Sequence, residues 1–110
     1  MIKLKINQYD VFWVNLDPTM GSEINKIRPC VVISPDALNE YLNTVIIAPV
    51  TTTVKKYPYR ADCIIDKKVG SIALDQIKTV DKSRFQKHIG RLRVSEIETI
   101  REKLREMFCE

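Results

Sequence analysis

The sequence predicts a small, mostly β domain (α+β): a curved, mostly antiparallel sheet or partial barrel with a C-terminal amphipathic helix. Three observations carry this reading. Short runs rich in β-branched and aromatic residues alternate with clusters of turn formers. The segment from Val94 instead places its apolar residues at helical spacing. The length of 110 residues suits one domain, 1–110, and is far short of a TIM barrel.

The elements follow in order. Tyr9 to Leu16 reads as a first strand, ended by the turn formers Asp17-Pro18-Thr19-Met20-Gly21-Ser22. A polar loop runs to Lys26. The second strand is Pro29 to Ser34, with the proline at its start, where a missing N–H is tolerated. Asp36 to Tyr41 can form a helical turn. Thr44 to Val50 is a third strand, apolar enough to be buried on both faces, and Pro49 marks a bulge or an edge near its end. Tyr59 to Ile65 reads as a fourth strand, and Ser71–Leu74 and Ile77–Val80 as short fifth and sixth strands. Val94, Ile97, Ile100, Leu104, Met107 and Phe108 form one helical stripe. Ser95 and Glu98 have the spacing of a capping box.

Composition narrows the class. Hydrophobic residues at 45% and charged residues at 29% match an ordinary folded domain and exclude a disordered or fibrous chain. No apolar run approaches a membrane span and the amino terminus lacks a signal-peptide pattern, so a cytoplasmic protein is expected. Cys30, Cys63 and Cys109 are isolated and odd in number, which suggests neither a disulfide framework nor a zinc site. Cys30 and Cys63 sit in apolar runs as small core residues. The one histidine, His88, is distant in sequence from either.

The net charge of +4 is uneven. Residues 1–50 hold four bases against five acids. Residues 78–93 hold Lys78, Lys82, Arg84, Lys87, Arg91 and Arg93 against Asp81 alone. Lys55 and Lys56 lie beside Tyr57 and Tyr59. Cations interleaved with aromatics suit single-stranded nucleic acid, where charges neutralise phosphates and rings stack on bases. A merely solvated basic face is the plain alternative.

Four strings carry more. They are Val11-Phe12-Trp13-Val14-Asn15-Leu16-Asp17-Pro18-Thr19-Met20-Gly21-Ser22-Glu23, Arg28-Pro29-Cys30-Val31-Val32-Ile33-Ser34-Pro35, Ala48-Pro49-Val50-Thr51-Thr52-Thr53, and Leu74-Asp75-Gln76-Ile77-Lys78-Thr79-Val80-Asp81. In this order and in a chain of this length they resemble the MazF/PemK/Kid family of toxin endoribonucleases. The resemblance runs from about Tyr9 into the terminal helix. It implies an SH3-like small barrel with a C-terminal helix, and a homodimer with RNA grooves along the subunit interface. It implies cofactor-free and metal-independent cleavage of single-stranded RNA at a short sequence, and an antitoxin whose acidic, disordered tail covers the RNA site. Cleavage would proceed by attack of the neighbouring 2′-OH, leaving a 2′,3′-cyclic phosphate and a 5′-OH.

Such a reaction needs a proton acceptor, a proton donor and cations around the phosphorane. Arg28 matches the family's catalytic arginine, and its planar fork can grip two phosphoryl oxygens. Thr51 matches the catalytic threonine, although a threonine at a strand end is also explained by β-propensity. Glu23 stands where the family often has an acid; it is a candidate base, or holds Arg28, or is an exposed loop acid. An arginine of ordinary pKa is too strong a base to be efficient at neutral pH. Asp75 matches an acidic position, and either an RNA-binding part or a structural ion pair suits it. Lys55, Lys56, Lys78 and Arg84 are further candidates for the groove. Some members have a histidine at Ser22 and an arginine at Ala73, so chemistry resting on those does not transfer. The runner-up function is a CcdB-like, gyrase-inhibiting toxin on the same fold, and a third is a nucleic-acid-binding module without catalysis.

Overall fold

The computed structural model describes residues 4–16, 26–52 and 57–109. Seven strands and two helices follow one another: β1 (Asp10–Asn15), β2 (Ile27–Val32), α1 (Asp36–Tyr41), β3 (Thr44–Thr51), β4 (Arg60–Ile65), β5 (Lys68–Ala73), β6 (Lys78–Asp81), β7 (Phe85–Arg91) and α2 (Val94–Phe108). Short 3-10 turns lead into β6 and β7. The strands form one curled sheet in the order β4-β5-β3-β2-β1-β7, with β6 also on β3. Every strand pairing is antiparallel. The sheet curls into a half-barrel with α2 against it, the mostly β fold that the sequence predicts.

Alternation along the strands fills two cores, one on each side of the sheet. Val11, Val31, Ala48, Val50, Ile72 and Leu74 form the first, and α2 closes it with Ile100, fully buried, and with Ile97, Leu104 and Met107. Phe12, Val14, Cys30, Val32, Val45, Ile47, Val80 and Phe85 form the second, inside the curl. β3 is buried on both faces as expected. The ends of the helical stripe are not: Val94 and Phe108 are exposed.

The two strand prolines sit where the ladders tolerate them. Leu16 N–H donates to the Lys26 carbonyl at 2.8 Å, so by alternation the Trp13↔Pro29 rung is a non-hydrogen-bonded one. The missing N–H of Pro29 therefore costs β1 nothing, and Pro29 lies inside β2 rather than at its start. Ile33 N–H donates to the Ile46 carbonyl, which by the same alternation turns the nitrogen of Pro49 away from β2. On that other side β6 pairs with Thr44–Ile47 and β5 with Val50–Thr51. Pro49 falls in the gap between the two partners. A residue that cannot donate sits where no ladder needs a donor.

Two further differences from the sequence reading follow. β7 was not foreseen: Phe85–Arg91 reads as a basic stretch, yet it pairs with β1 as an edge strand. The start of α2 is capped by Glu96, not by Ser95 with Glu98. The Glu96 carboxylate accepts from the Arg93 backbone N–H at 2.8 Å, from the Arg93 guanidinium at 3.1 Å and from the Ile64 N–H at 2.8 Å. Burial alone would raise its pKa, and these bonds reverse that and hold it below the usual range. Glu96 thus ties the helix start to the open edge of β4. No helix among the described residues is long and apolar enough to cross a membrane.

Candidate active site

Arg28 is exposed on β2, directly opposite Val14, so its side chain lies on the face of the second core. Across β3 the register is Cys30↔Pro49, Val31↔Ala48 and Val32↔Ile47. Carried two residues beyond the ladder, this register falls on Arg28 and Thr51, with both side chains on that same face. The strand pattern thus puts a guanidinium and a hydroxyl on one face of the sheet, just past the last paired rung, Cys30↔Pro49.

Lys78 joins them. It lies opposite Ile47. Burial pushes the Cys30 thiol up to about 12, while the nearby charges of Lys78 and Arg28 pull it the other way. That thiol is fully buried and directs its S–H to the Arg28 carbonyl at 3.6 Å, the behaviour of a core residue and not of a nucleophile. Arg84 donates to the Asn15 carbonyl at 3.3 Å, beside the Val14 that faces Arg28.

Behind Thr51 lies β5, with Ser71 directly opposite. Ser71 is only 1% exposed, and its hydroxyl has no hydrogen-bond partner among the described residues. At the adjacent Gly70 a Cβ would sit 2.8 Å from Val50 Cγ1 and 3.2 Å from the Thr51 carbonyl oxygen. Glycine is what lets β5 approach the end of β3 this closely.

Asp75 is engaged by Arg60, whose Nε and Nη2 donate to its two oxygens at 3.0 and 3.3 Å. This fork holds the Asp75 carboxyl below the usual carboxylate range and raises Arg60. The Arg60 guanidinium also lies over the Tyr57 ring, 4.9 Å from its centroid. Asp75 is thus the ion-pair partner of Arg60. Sequence reasoning missed Arg60, and its only signal was a cation beside two tyrosines.

The other expectations divide. Glu23, Lys55 and Lys56 lie outside the described residues. The basic run 78–93 is not one free face. Lys82 donates to the Asn39 carbonyl, Arg91 to the Gln8 carbonyl and Asp10, and Arg93 to Glu96. Several of its charges act as ties between elements. His88 lies 3.6 Å from the Asp10 carboxylate and edge-on to Phe12, not beside a cysteine. Among the described residues no group of three His, Cys, Asp or Glu side chains could hold a metal ion. A cavity of about 470 Å³ between the amino-terminal segment and α1, lined by Lys5, Asp36, Asn39 and Lys82, contains none of the predicted site residues.

The curled sheet with its terminal helix is the fold of solved MazF toxins. MazF of Deinococcus radiodurans superposes with a TM-score of 0.81 at 24% identity, covering 98% of this chain and all of that one. An endoribonuclease in complex with its cognate antitoxin from a mycobacterial species gives 0.78 at 19% identity, covering 92% of each chain. A MazE–MazF complex of Deinococcus radiodurans gives 0.81 at 24%, with 96% of each chain covered. The model of the family described as PemK-like, MazF-like toxin of type II toxin–antitoxin systems matches residues 7–108, nearly the whole chain. The protein belongs to that family.

Proposed function

We propose that this toxin is a metal-independent, sequence-specific endoribonuclease, acting as a single domain of residues 1–110. It attacks single-stranded RNA, including mRNA, through the 2′-OH next to the scissile phosphate. What supports this reading is that Arg28 and Thr51 share one sheet face, just past the Cys30↔Pro49 rung, in a chain of this family. Arg28 grips the phosphoryl oxygens and stabilises the charge that develops on them. Thr51 donates to a non-bridging oxygen. Glu23 orients Arg28 or accepts the 2′-OH proton. Lys78 and Arg84, with Lys55 and Lys56, attract the phosphates on either side, and Asp75 takes part in binding the RNA.

The functional unit is a cytoplasmic homodimer with its RNA grooves at the subunit interface. Its partner is an antitoxin with an acidic, disordered tail that covers those grooves. Solved MazE–MazF complexes of similar fold support the antitoxin. The test is to incubate the purified protein with long single-stranded RNA in EDTA and to map the ends. Discrete cuts leaving 5′-hydroxyls are expected. Intact RNA together with inhibited DNA gyrase would replace this reading with the CcdB-like one.

A further inference from the structure

We propose that Arg60 reads an RNA base beside the cleavage site, using N–H groups of a guanidinium that Asp75 and Tyr57 hold in place. This deepens the nuclease reading and rests on it.

The sheet places Arg60 on the right face. Thr51 pairs with Ser71, and Ser71 with Asp62 on β4. Arg60 is the next residue of β4 on that face, opposite Ala73. Two strand spacings and two residues of rise put its backbone roughly 12 Å from that of Thr51. One RNA strand passing Thr51 reaches Arg60, but a single phosphate cannot touch both. The Arg60 side chain is 10% exposed, so its contact with a base is confined to the part of the guanidinium that reaches the surface.

The group is also prepared for reading. An arginine carries five N–H donors, and the two bonds to Asp75 use two of them. The remaining three have no partner among the described residues. The carboxylate fixes the plane of the fork and the Tyr57 ring covers one side, so little rotamer freedom is left to lose on binding. Arg84 and Arg91 differ, since they direct donors to main-chain carbonyls.

Charge decides between phosphate and base. Asp75 neutralises Arg60, which weakens it as a phosphate anchor. Donors beside a carboxylate 39% exposed make a mixed array that matches the acceptors and donors of a base edge.

The test uses the full chain and a randomised single-stranded 2′-O-methyl RNA pool, which cannot be cut by the 2′-OH route. Bound sequences are read for wild type, Arg60→Gln and Arg60→Lys, and Kd is measured on the enriched sequence. Cleavage of ordinary RNA is followed in parallel. Arg60→Gln is expected to weaken binding about tenfold and to erase the preference at one position only. Arg60→Lys, with charge but no fork, is expected to leave that preference lost. An unchanged enrichment pattern would overturn the proposal. So would weaker binding with every preference intact, since that is what a structural ion pair or general charge predicts. If wild type binds RNA selectively but does not cut, the nuclease reading fails while Arg60 is still judged by the pool. If it neither binds nor cuts, both fall.

Discussion

The two faces of the sheet use the same alternating strands for opposite ends. On the face of α2, apolar side chains from five strands meet Ile97, Ile100, Leu104 and Met107, and the helix seals them. On the other face the apolar cluster ends at Val14, Cys30 and Ile47, and the next residues along or across are Arg28, Thr51 and Lys78. The first face is stability without chemistry. The second is a core whose last rung is polar. The difference teaches where to look in a small chain: not for an enclosed cavity, but for the place where an apolar face stops.

Arg28→Ala breaks the comparison most sharply. We expect RNA cleavage to fall by about 10²-fold or more, from loss of the cation at the phosphorane. Circular dichroism and the unfolding midpoint stay close to wild type, because Arg28 is exposed. Near-normal turnover would remove it from the chemistry. On the sealed face, Ile100→Ala leaves a cavity and costs about 3 kcal/mol of stability in denaturant unfolding. Its cleavage rate, measured well below the unfolding midpoint, is unchanged. A specific loss of turnover there would mean that the two faces are coupled.

Glu96 sharpens the picture through pH. Its folded carboxyl lies below the ordinary value, so it binds a proton less readily than in the unfolded chain. Its contribution is present above about pH 4.3 and is lost as pH falls through the lower folded value. Glu96→Gln should therefore lose stability at pH 7 and approach wild type in strong acid. A constant difference across urea titrations at pH 7 and pH 3 would contradict this. The smallest expected effect is at Ser71. Removing a buried hydroxyl without a partner among the described residues should leave stability unchanged or raise it by up to about 1 kcal/mol in Ser71→Ala. A loss above that would reveal a bond this hydroxyl makes.

Much of this was legible in the residues. The strands that became β1, β3 and β4, the turn Asp36–Tyr41 and the helix from Val94 all follow from apolar spacing and turn formers. Arg28 and Thr51 were legible as motif residues, but their place on one sheet face was not, since it depends on the β2–β3 register. β7 escaped because an edge strand with only Phe85 buried need not show apolar alternation. The helix cap was misread because Ser95 and Glu98 have the right spacing, while Glu96 has a second partner in Ile64 that only tertiary packing supplies. The excess charge of residues 78–93 pointed to a binding face, yet several of those cations are held by carbonyls and carboxylates within the fold. Arg60 was invisible because its meaning comes from Asp75, brought to it across β4 and β5.

The most direct measurement compares two RNAs that differ by one atom. A single-stranded RNA carrying one mapped cut site is incubated in EDTA beside the same strand with a 2′-deoxy nucleotide on the 5′ side of that site. Cleavage of the first, with a cyclic phosphate and a 5′-hydroxyl as its ends, and no detectable cleavage of the second is the predicted result. Cutting of the deoxy strand at the same position would contradict the 2′-OH mechanism and the roles given to Arg28 and Thr51.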